Sequence, residues 1–144
     1  MKRKYLWLIV VLYVCFIWSN SLQSGEVSGG ISEQVTRILL SLLERAGVTV
    51  TDFDLAHLAV RKLAHFSEFL LLGLLVCYAN RKQPLFPRNS QALAVFLAVP
   101  LLDEGLQLLV PGRAGVLTDV LIDTAGYLSG WLISGLFRKN GGHL

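Results

Sequence analysis

The chain has 144 residues, of which 53% are hydrophobic and only 16% are charged. Its mean hydropathy is +0.57, and its formal net charge is +3. Soluble domains carry about 25% charged residues, so this chain lacks the polar surface that a water-soluble fold needs. Two cysteines are too few for a disulfide framework, and the apolar content excludes intrinsic disorder. The composition predicts an integral membrane protein, and the placement of its basic residues argues against nucleic-acid binding.

Four apolar segments are candidates to cross a bilayer, whose core requires about 20 apolar residues in a helix. They cover residues 5–19, 63–79, 92–110 and 117–137. The basic N-terminus followed by an apolar run also resembles a cleavable signal peptide, but bulky residues near the end of that run argue against cleavage. The sequence therefore predicts one domain over residues 1–144, an all-α membrane protein built as a four-helix transmembrane bundle.

Basic residues indicate the orientation of these spans. Three short segments without acidic residues, namely the two termini and the loop between the second and third spans, contain eight cations: Lys2, Arg3, Lys4, Arg81, Lys82, Arg88, Arg138 and Lys139. The positive-inside rule places such segments in the cytoplasm. We therefore expect a multi-pass plasma-membrane protein with both termini cytoplasmic.

The long connection between the first two spans has helical periodicity of its own. Apolar residues recur at the spacing of a helix face at Ile31, Val35, Ile38, Leu39, Leu42 and Leu43. Gly47 follows as a stop signal. We expect an amphipathic helix on the outer membrane surface, or alternatively a short helix packed over the mouth of the bundle. Thr51 and Asp54 form a capping box, so a helix should begin near Asp52 and continue into the second span.

Ionisable side chains in the last three spans are expected at one depth. The second span enters from outside, so Arg61, His65 and Glu68, which share a helix face, lie in its first turns. The third span ends outside and the fourth begins there, which brings further polar residues to the same level: Asp103, Glu104, Gln107, Asp119 and Asp123. A charge at mid-membrane costs about 2.5–3.5 kcal/mol, so these side chains should line a cavity or meet partners.

The acidic excess of this cluster limits its chemistry. The three fixed cations are Arg61, Lys62 and Arg113, and they are outnumbered by five carboxylates: Glu68, Asp103, Glu104, Asp119 and Asp123. Because like charges repel at short range, the cluster must hold protons, bind a divalent metal ion through these carboxylates, or receive a cationic ligand. The same carboxylates and His65 are the candidate catalytic residues. The candidate binding residues are Arg61, Gln107 and Arg113.

A purely structural role is the alternative for these residues. Arg61 could pair with Glu68, and Arg113 with Asp103 or Asp119, so that buried ion pairs would hold the helix ends together. Close helix packing is also predicted on the fourth span, where glycines at 126 and 130 form a G-x-x-x-G step. Its neighbour could be a helix of this chain or of a second subunit, and the sequence favours the former while leaving the oligomeric state open.

Four sequence blocks occur in order along these spans: FIWSNSLQ at 16–23, RKLAHFSEFLLLG at 61–73, DEGLQLLVPGR at 103–113 and DVLIDTAGYLSG at 119–130. Together they resemble the VanZ-like family, which is named for an accessory protein of teicoplanin resistance. The resemblance implies a small bacterial membrane protein linked to the cell envelope and, in some members, to reduced glycopeptide sensitivity. It implies no particular reaction.

Three functions compete on this evidence. The favoured one is a non-enzymatic envelope protein that binds a membrane lipid or lipid-linked wall intermediate. The second is a hydrolase or transferase that acts on such a lipid through a divalent metal held by the carboxylates with His65. The third is a proton-coupled carrier, which polarity confined to the outer half of the bilayer argues against. The sequence contains no nucleophile elbow, P-loop or thiolate metal motif.

Overall fold

The structure, a computed structural model, describes residues 5–113 and 115–140, and of these it leaves the side chains of 137–140 undescribed. Its six helices are α1 Leu6–Ser21, α2 Gly25–Arg45, α3 Phe53–Lys82, α4 Asn89–Phe96, α5 Ala98–Gln107 and α6 Leu117–Asn140. No strand occurs within those ranges, so the all-α prediction is confirmed. The terminal cations used for the orientation lie outside the described part of the chain: residues 2–4 entirely, and residues 138 and 139 by their side chains.

The central feature of the fold is the close packing of α3 against α6. A Cβ atom at Gly126 would collide with the backbone carbonyl of Phe66, and one at Gly130 with that of Leu70. From the opposite side, Gly73 lies directly against the backbone of α6. The G-x-x-x-G step therefore packs on a helix of the same chain, and the absence of side chains lets the two backbones touch.

Helix α3 is also the clearest candidate for a membrane span. It has 30 residues, which correspond to a length of about 45 Å. Among the described helices, it alone is long and apolar enough to cross a bilayer by itself. Helices α1 and α2 meet the same criterion only as a pair, and they are bent by 102° across the break between them.

The predicted third span, residues 92–110, is divided into two short helices. Helix α4 ends at Phe96, and α5 begins after Leu97. Pro100 has no amide hydrogen, so the carbonyl of Phe96 cannot receive the bond that residue 100 would donate in a continuous helix. The structure shows an interruption one turn before this proline. Each half is too short to cross a bilayer alone.

The connection from α1 to α3 contains the helix expected from its periodicity. Helix α2 stops before Gly47, which has a positive φ of 82°, a conformation that glycine adopts without strain. Asp52, rather than Thr51, caps the following helix, because its carboxylate accepts a hydrogen bond of 2.9 Å from a first-turn amide. Helix α3 then continues unbroken through the predicted span at 63–79.

Helix α2 buries its polar face and exposes its apolar face, the reverse of a helix on the surface of a soluble protein. Small hydroxyl residues recur every four positions at Ser28, Ser32 and Thr36, of which the first two are half-buried and Thr36 is fully buried. Large apolar side chains are exposed: Val27, Ile31, Val35, Ile38, Leu39 and Leu42. A soluble protein would bury the apolar stripe and expose the polar one.

Candidate functional site

Three helices bring together an imidazole and two carboxylates. His65 of α3, Asp103 of α5 and Asp123 of α6 each offer a metal-ligand atom, and these atoms lie within 4.8 Å of one another. Both aspartates are 0% exposed, and the imidazole is 12% exposed. We refer to these three residues as the His–Asp–Asp cluster.

Asp103 is held in place by hydrogen bonds from two elements. Ser21, the last residue of α1, donates its hydroxyl to Oδ1 at 2.7 Å. Gln107, one turn further along α5, donates Nε2 to Oδ2 at 3.2 Å. Because a carboxylate oxygen has more than one lone pair, both oxygens can still accept a further partner.

Asp123 and His65 are in a different situation. Nδ1 of His65 lies 3.4 Å from Oδ1 of Asp123, which is within ion-pair range but does not satisfy hydrogen-bond geometry. Among the described residues, the two carboxylate oxygens of Asp123 form no hydrogen bond, and neither does Nδ1 of His65. Buried polar groups are ordinarily paired, because an unpaired one carries its full desolvation cost. These atoms therefore have unused capacity to bind a cation.

Two other carboxylates from the predicted metal set have separate partners. Glu104 accepts the amide hydrogen of Val116 at 2.9 Å on Oε2 and Gln107 Nε2 at 3.1 Å on Oε1, so it holds the connection between α5 and α6. Asp119 forms an ion pair with Lys62 of α3. Neither belongs to the His–Asp–Asp cluster.

Arg113 contacts backbone carbonyls instead of the acids that the sequence suggested as its partners. Its Nε donates to the carbonyl of Gln23 at 3.1 Å, and its Nη2 donates to that of Asn20 at 3.0 Å. Burial, and then the charge of nearby Arg61, lower the pKa of the Arg113 guanidinium from its ordinary value. Arginine nevertheless stays charged in proteins, so two cations lie close together here.

A cavity of about 300 Å³ lies between these groups and α2. Its wall includes Asn20, Gln23, Arg61, His65, Glu68 and Arg113. Two guanidinium groups thus face one carboxylate, and the oxygen Oε1 of that carboxylate accepts a hydrogen bond of 3.0 Å from Asn20. The cavity meets the His–Asp–Asp cluster at His65, which belongs to both.

The contribution of α1 to this region was not predicted from the sequence. Asn20, Ser21 and Gln23 were not predicted as site residues, yet Asn20 binds Glu68, Ser21 binds Asp103, and Gln23 lines the cavity. The sequence feature that could have indicated these residues is the run of polar residues at the end of the first apolar segment. Such a run is also typical of an ordinary helix end at the membrane surface.

Comparison with known proteins identifies one relationship. A family model described as VanZ/LLP1 matches residues 5–138, nearly the whole chain. The match covers the described residues of the His–Asp–Asp cluster and of the cavity. No curated protein and no solved structure matches the chain at significant similarity.

Proposed function

The chain belongs to the VanZ/LLP1 family, and on that basis we propose that it is an envelope protein that binds a phosphate-bearing lipid in the cavity beneath α2. The lipid would be a membrane phospholipid or a lipid-linked envelope intermediate. The observation that carries this proposal is the pair Arg61 and Arg113 in the wall of one cavity. Their headgroup ligand would sit next to a helix whose apolar side chains face outward.

The chemistry of the cavity favours an anionic ligand. Arginine presents planar N–H donors that match two phosphate oxygens at once. Among the described residues, Nη1 of Arg113 has no hydrogen-bond acceptor and Arg61 has no ion-pair partner, so donors remain for a ligand. A bound phosphate would also relieve the repulsion between the two guanidinium groups.

The proposal includes a membrane topology. Spans would be formed by α1, by α3, by α4 together with α5, and by α6, with both termini in the cytoplasm. Helix α2 would lie in the outer membrane surface with its exposed apolar residues in lipid. The basic residues Arg81, Lys82 and Arg88 in the loop after α3 support this orientation. The cavity would then open at the level of the outer headgroups.

Cysteine labelling tests this topology. The native cysteines, exposed Cys15 and buried Cys77, would be replaced by serine and alanine. Single cysteines would then be introduced as Arg37→Cys and Leu85→Cys. A membrane-impermeant maleimide added to whole cells should label position 37, and position 85 only after permeabilisation. The reverse pattern would place the cavity at the cytoplasmic surface.

Lipid binding is tested with the full chain in nanodiscs that contain either a polyprenyl phosphate or the corresponding neutral polyprenol. Native mass spectrometry should detect retention of the phosphate and not of the alcohol. We expect Arg61→Gln to weaken retention at least tenfold, the equivalent of about 1.4 kcal/mol. Arg113→Lys should weaken it less, because the charge survives while the planar fork is lost.

The control is Arg37→Gln, which removes an exposed arginine of α2 that pairs with Glu33 outside the cavity. Retention should equal that of the wild type. Equal retention of phosphate and alcohol, or an Arg61→Gln variant that is thermally stable and still binds normally, would overturn the proposal.

Reduced teicoplanin sensitivity is the cellular effect that the family resemblance implies for some members. We propose that it arises when the protein sequesters or alters the lipid-linked intermediate at the cell surface. Expression of the wild type should then raise the teicoplanin concentration that inhibits growth. Arg61→Gln at equal protein level should not.

A second candidate function is metal-assisted hydrolysis or transfer on the same lipid. It is favoured by the His–Asp–Asp cluster, which adjoins the cavity through His65. In the hydrolytic form, water adds to the terminal phosphorus of a lipid diphosphate while the bridging P–O bond breaks. The products are a lipid monophosphate, inorganic phosphate and a proton. Release of inorganic phosphate from a polyprenyl diphosphate, lost in Asp123→Asn, would favour this function over simple binding.

A further inference from the structure

We propose that His65, Asp103 and Asp123 form a divalent transition-metal site that joins α3, α5 and α6. This ligand set is narrower than the one predicted from the sequence, which combined His65 with five carboxylates. It excludes Glu68 and the two acids that have other partners. It also goes beyond the lipid proposal, which requires only the two arginines.

The spacing of the three groups suits coordination. Metal–ligand bonds of about 2.0–2.2 Å place neighbouring ligand atoms about 3–4 Å apart. Nδ1 of His65 and Oδ1 of Asp123 are 3.4 Å apart, and all three ligand atoms lie within 4.8 Å of one another. Small side-chain rotations would therefore close the shell around an ion.

The unpaired atoms supply an independent reason. Asp123 is 0% exposed, and among the described residues neither of its oxygens, nor Nδ1 of His65, has a hydrogen-bond partner. A metal ion would engage these atoms together. Two carboxylates and a neutral imidazole carry two negative charges, which a divalent ion neutralises. A single proton shared by the three groups would neutralise only one of these two negative charges.

The surroundings of Asp103 resemble the outer shell of a metal ligand. Ligating carboxylates are usually hydrogen-bonded by neighbours that fix their orientation. Ser21 and Gln107 donate to the two oxygens of Asp103 at 2.7 and 3.2 Å. Lys62 of α3 is paired with Asp119 and not with the cluster.

The donor types narrow the choice of ion. One imidazole nitrogen with two carboxylate oxygens suits Zn²⁺, Mn²⁺ or Fe²⁺, whereas Mg²⁺ and Ca²⁺ prefer oxygen ligands alone. Three protein ligands leave at least one coordination position open, as in catalytic rather than structural zinc sites. Because His65 also lines the cavity, an ion held by the cluster would lie next to the cavity that the two arginines line.

The test uses the full chain in nanodiscs, carrying no histidine tag and dialysed against a chelator. Isothermal titration with Zn²⁺, Mn²⁺ and Mg²⁺ should show one equivalent of Zn²⁺ or Mn²⁺ per chain and at least tenfold weaker Mg²⁺ binding. Asp123→Asn and His65→Gln should each weaken Zn²⁺ binding at least 100-fold. Ser21→Ala should weaken it by about 10–100-fold, the usual effect of an outer-shell partner.

Asp119→Asn is the matched control, since it removes a buried carboxylate one turn earlier on α6 that is paired with Lys62. Its Zn²⁺ affinity should equal that of the wild type. Arg61→Gln should also bind Zn²⁺ normally, so failure of the lipid proposal would leave this result intact. Co²⁺ bound to the wild type should give ligand-field absorption bands, a measurement that needs no variant. Substoichiometric Zn²⁺, or equal affinity in Asp123→Asn, would overturn the site.

Discussion

Two regions of α3 contact buried polar groups of opposite kinds. Near the C-terminal end of the helix, both polar atoms of the Asn80 side chain form hydrogen bonds. Its Nδ2 donates to the carbonyl of Phe86 at 3.2 Å and to Oδ1 of Asn89 at 2.9 Å, and its Oδ1 accepts the amides of Leu85 and Phe86 at 3.1 and 3.0 Å. These bonds hold the loop between α3 and α4 in one conformation.

Near the middle of the helix, about 22 Å from Asn80, lies the His–Asp–Asp cluster. Its Asp123 is as deeply buried as Asn80, yet among the described residues its oxygens have no hydrogen-bond partner. The contrast separates two uses of buried polarity. A saturated side chain stabilises the fold, whereas an unsaturated one has capacity left for a ligand.

The largest expected loss of stability comes from a substitution that separates α6 from α3. Gly126→Leu would push a side chain into the backbone of Phe66, and we expect it to cost about 3 kcal/mol or more. Expression level and thermal unfolding in detergent measure it. Gly135→Leu is the control on the same helix, because a Cβ there meets open space. Equal stability of the two variants would refute the packing described for these helices.

Loss of the Asn80 hydrogen bonds should have the next largest effect on stability. Asn80→Leu leaves the amides of Leu85 and Phe86 without their acceptor, at a cost of about 1–3 kcal/mol for each unsatisfied buried group. We expect a clear drop in the unfolding temperature without any change in Zn²⁺ affinity. Gln91→Leu, at an exposed position of α4, should leave both unchanged. If Asn80→Leu unfolds at the same temperature as the wild type, the hydrogen bonds of Asn80 do not make its region more important for stability than the His–Asp–Asp cluster.

The His–Asp–Asp cluster should show the smallest effect on stability. Without metal, Asp123→Asn should change the free energy of unfolding by less than about 0.5 kcal/mol. No hydrogen bond is lost, and removal of a buried charge offsets the loss of its ion-pair contact with His65. With saturating Zn²⁺, the wild type should become more stable than the variant through mass action. Thermal unfolding with and without Zn²⁺ gives both values. A metal-free loss as large as that of Asn80→Leu would make the cluster structural.

Sequence patterns predicted the helical class and the position of the first three helices. Periodicity and hydropathy are local properties, and they determine where a helix forms and which turn carries an acid. Pro100 marked the distortion of the third span for the same local reason. The four-span arrangement and the cytoplasmic location of both termini remain predictions.

The tertiary structure alone decided how the polar residues pair. Sequence spacing could not distinguish Asp123, which accepts no hydrogen bond from the described residues, from Asp119, which pairs with Lys62, because both lie on one face of α6. Nor could it reveal that Ser21 reaches Asp103 across 82 positions of chain. These outcomes depend on how the helices are rotated and how closely they approach. Both are set by packing between distant segments, such as the glycine contacts of α3 with α6, and not by the local pattern of any one of them.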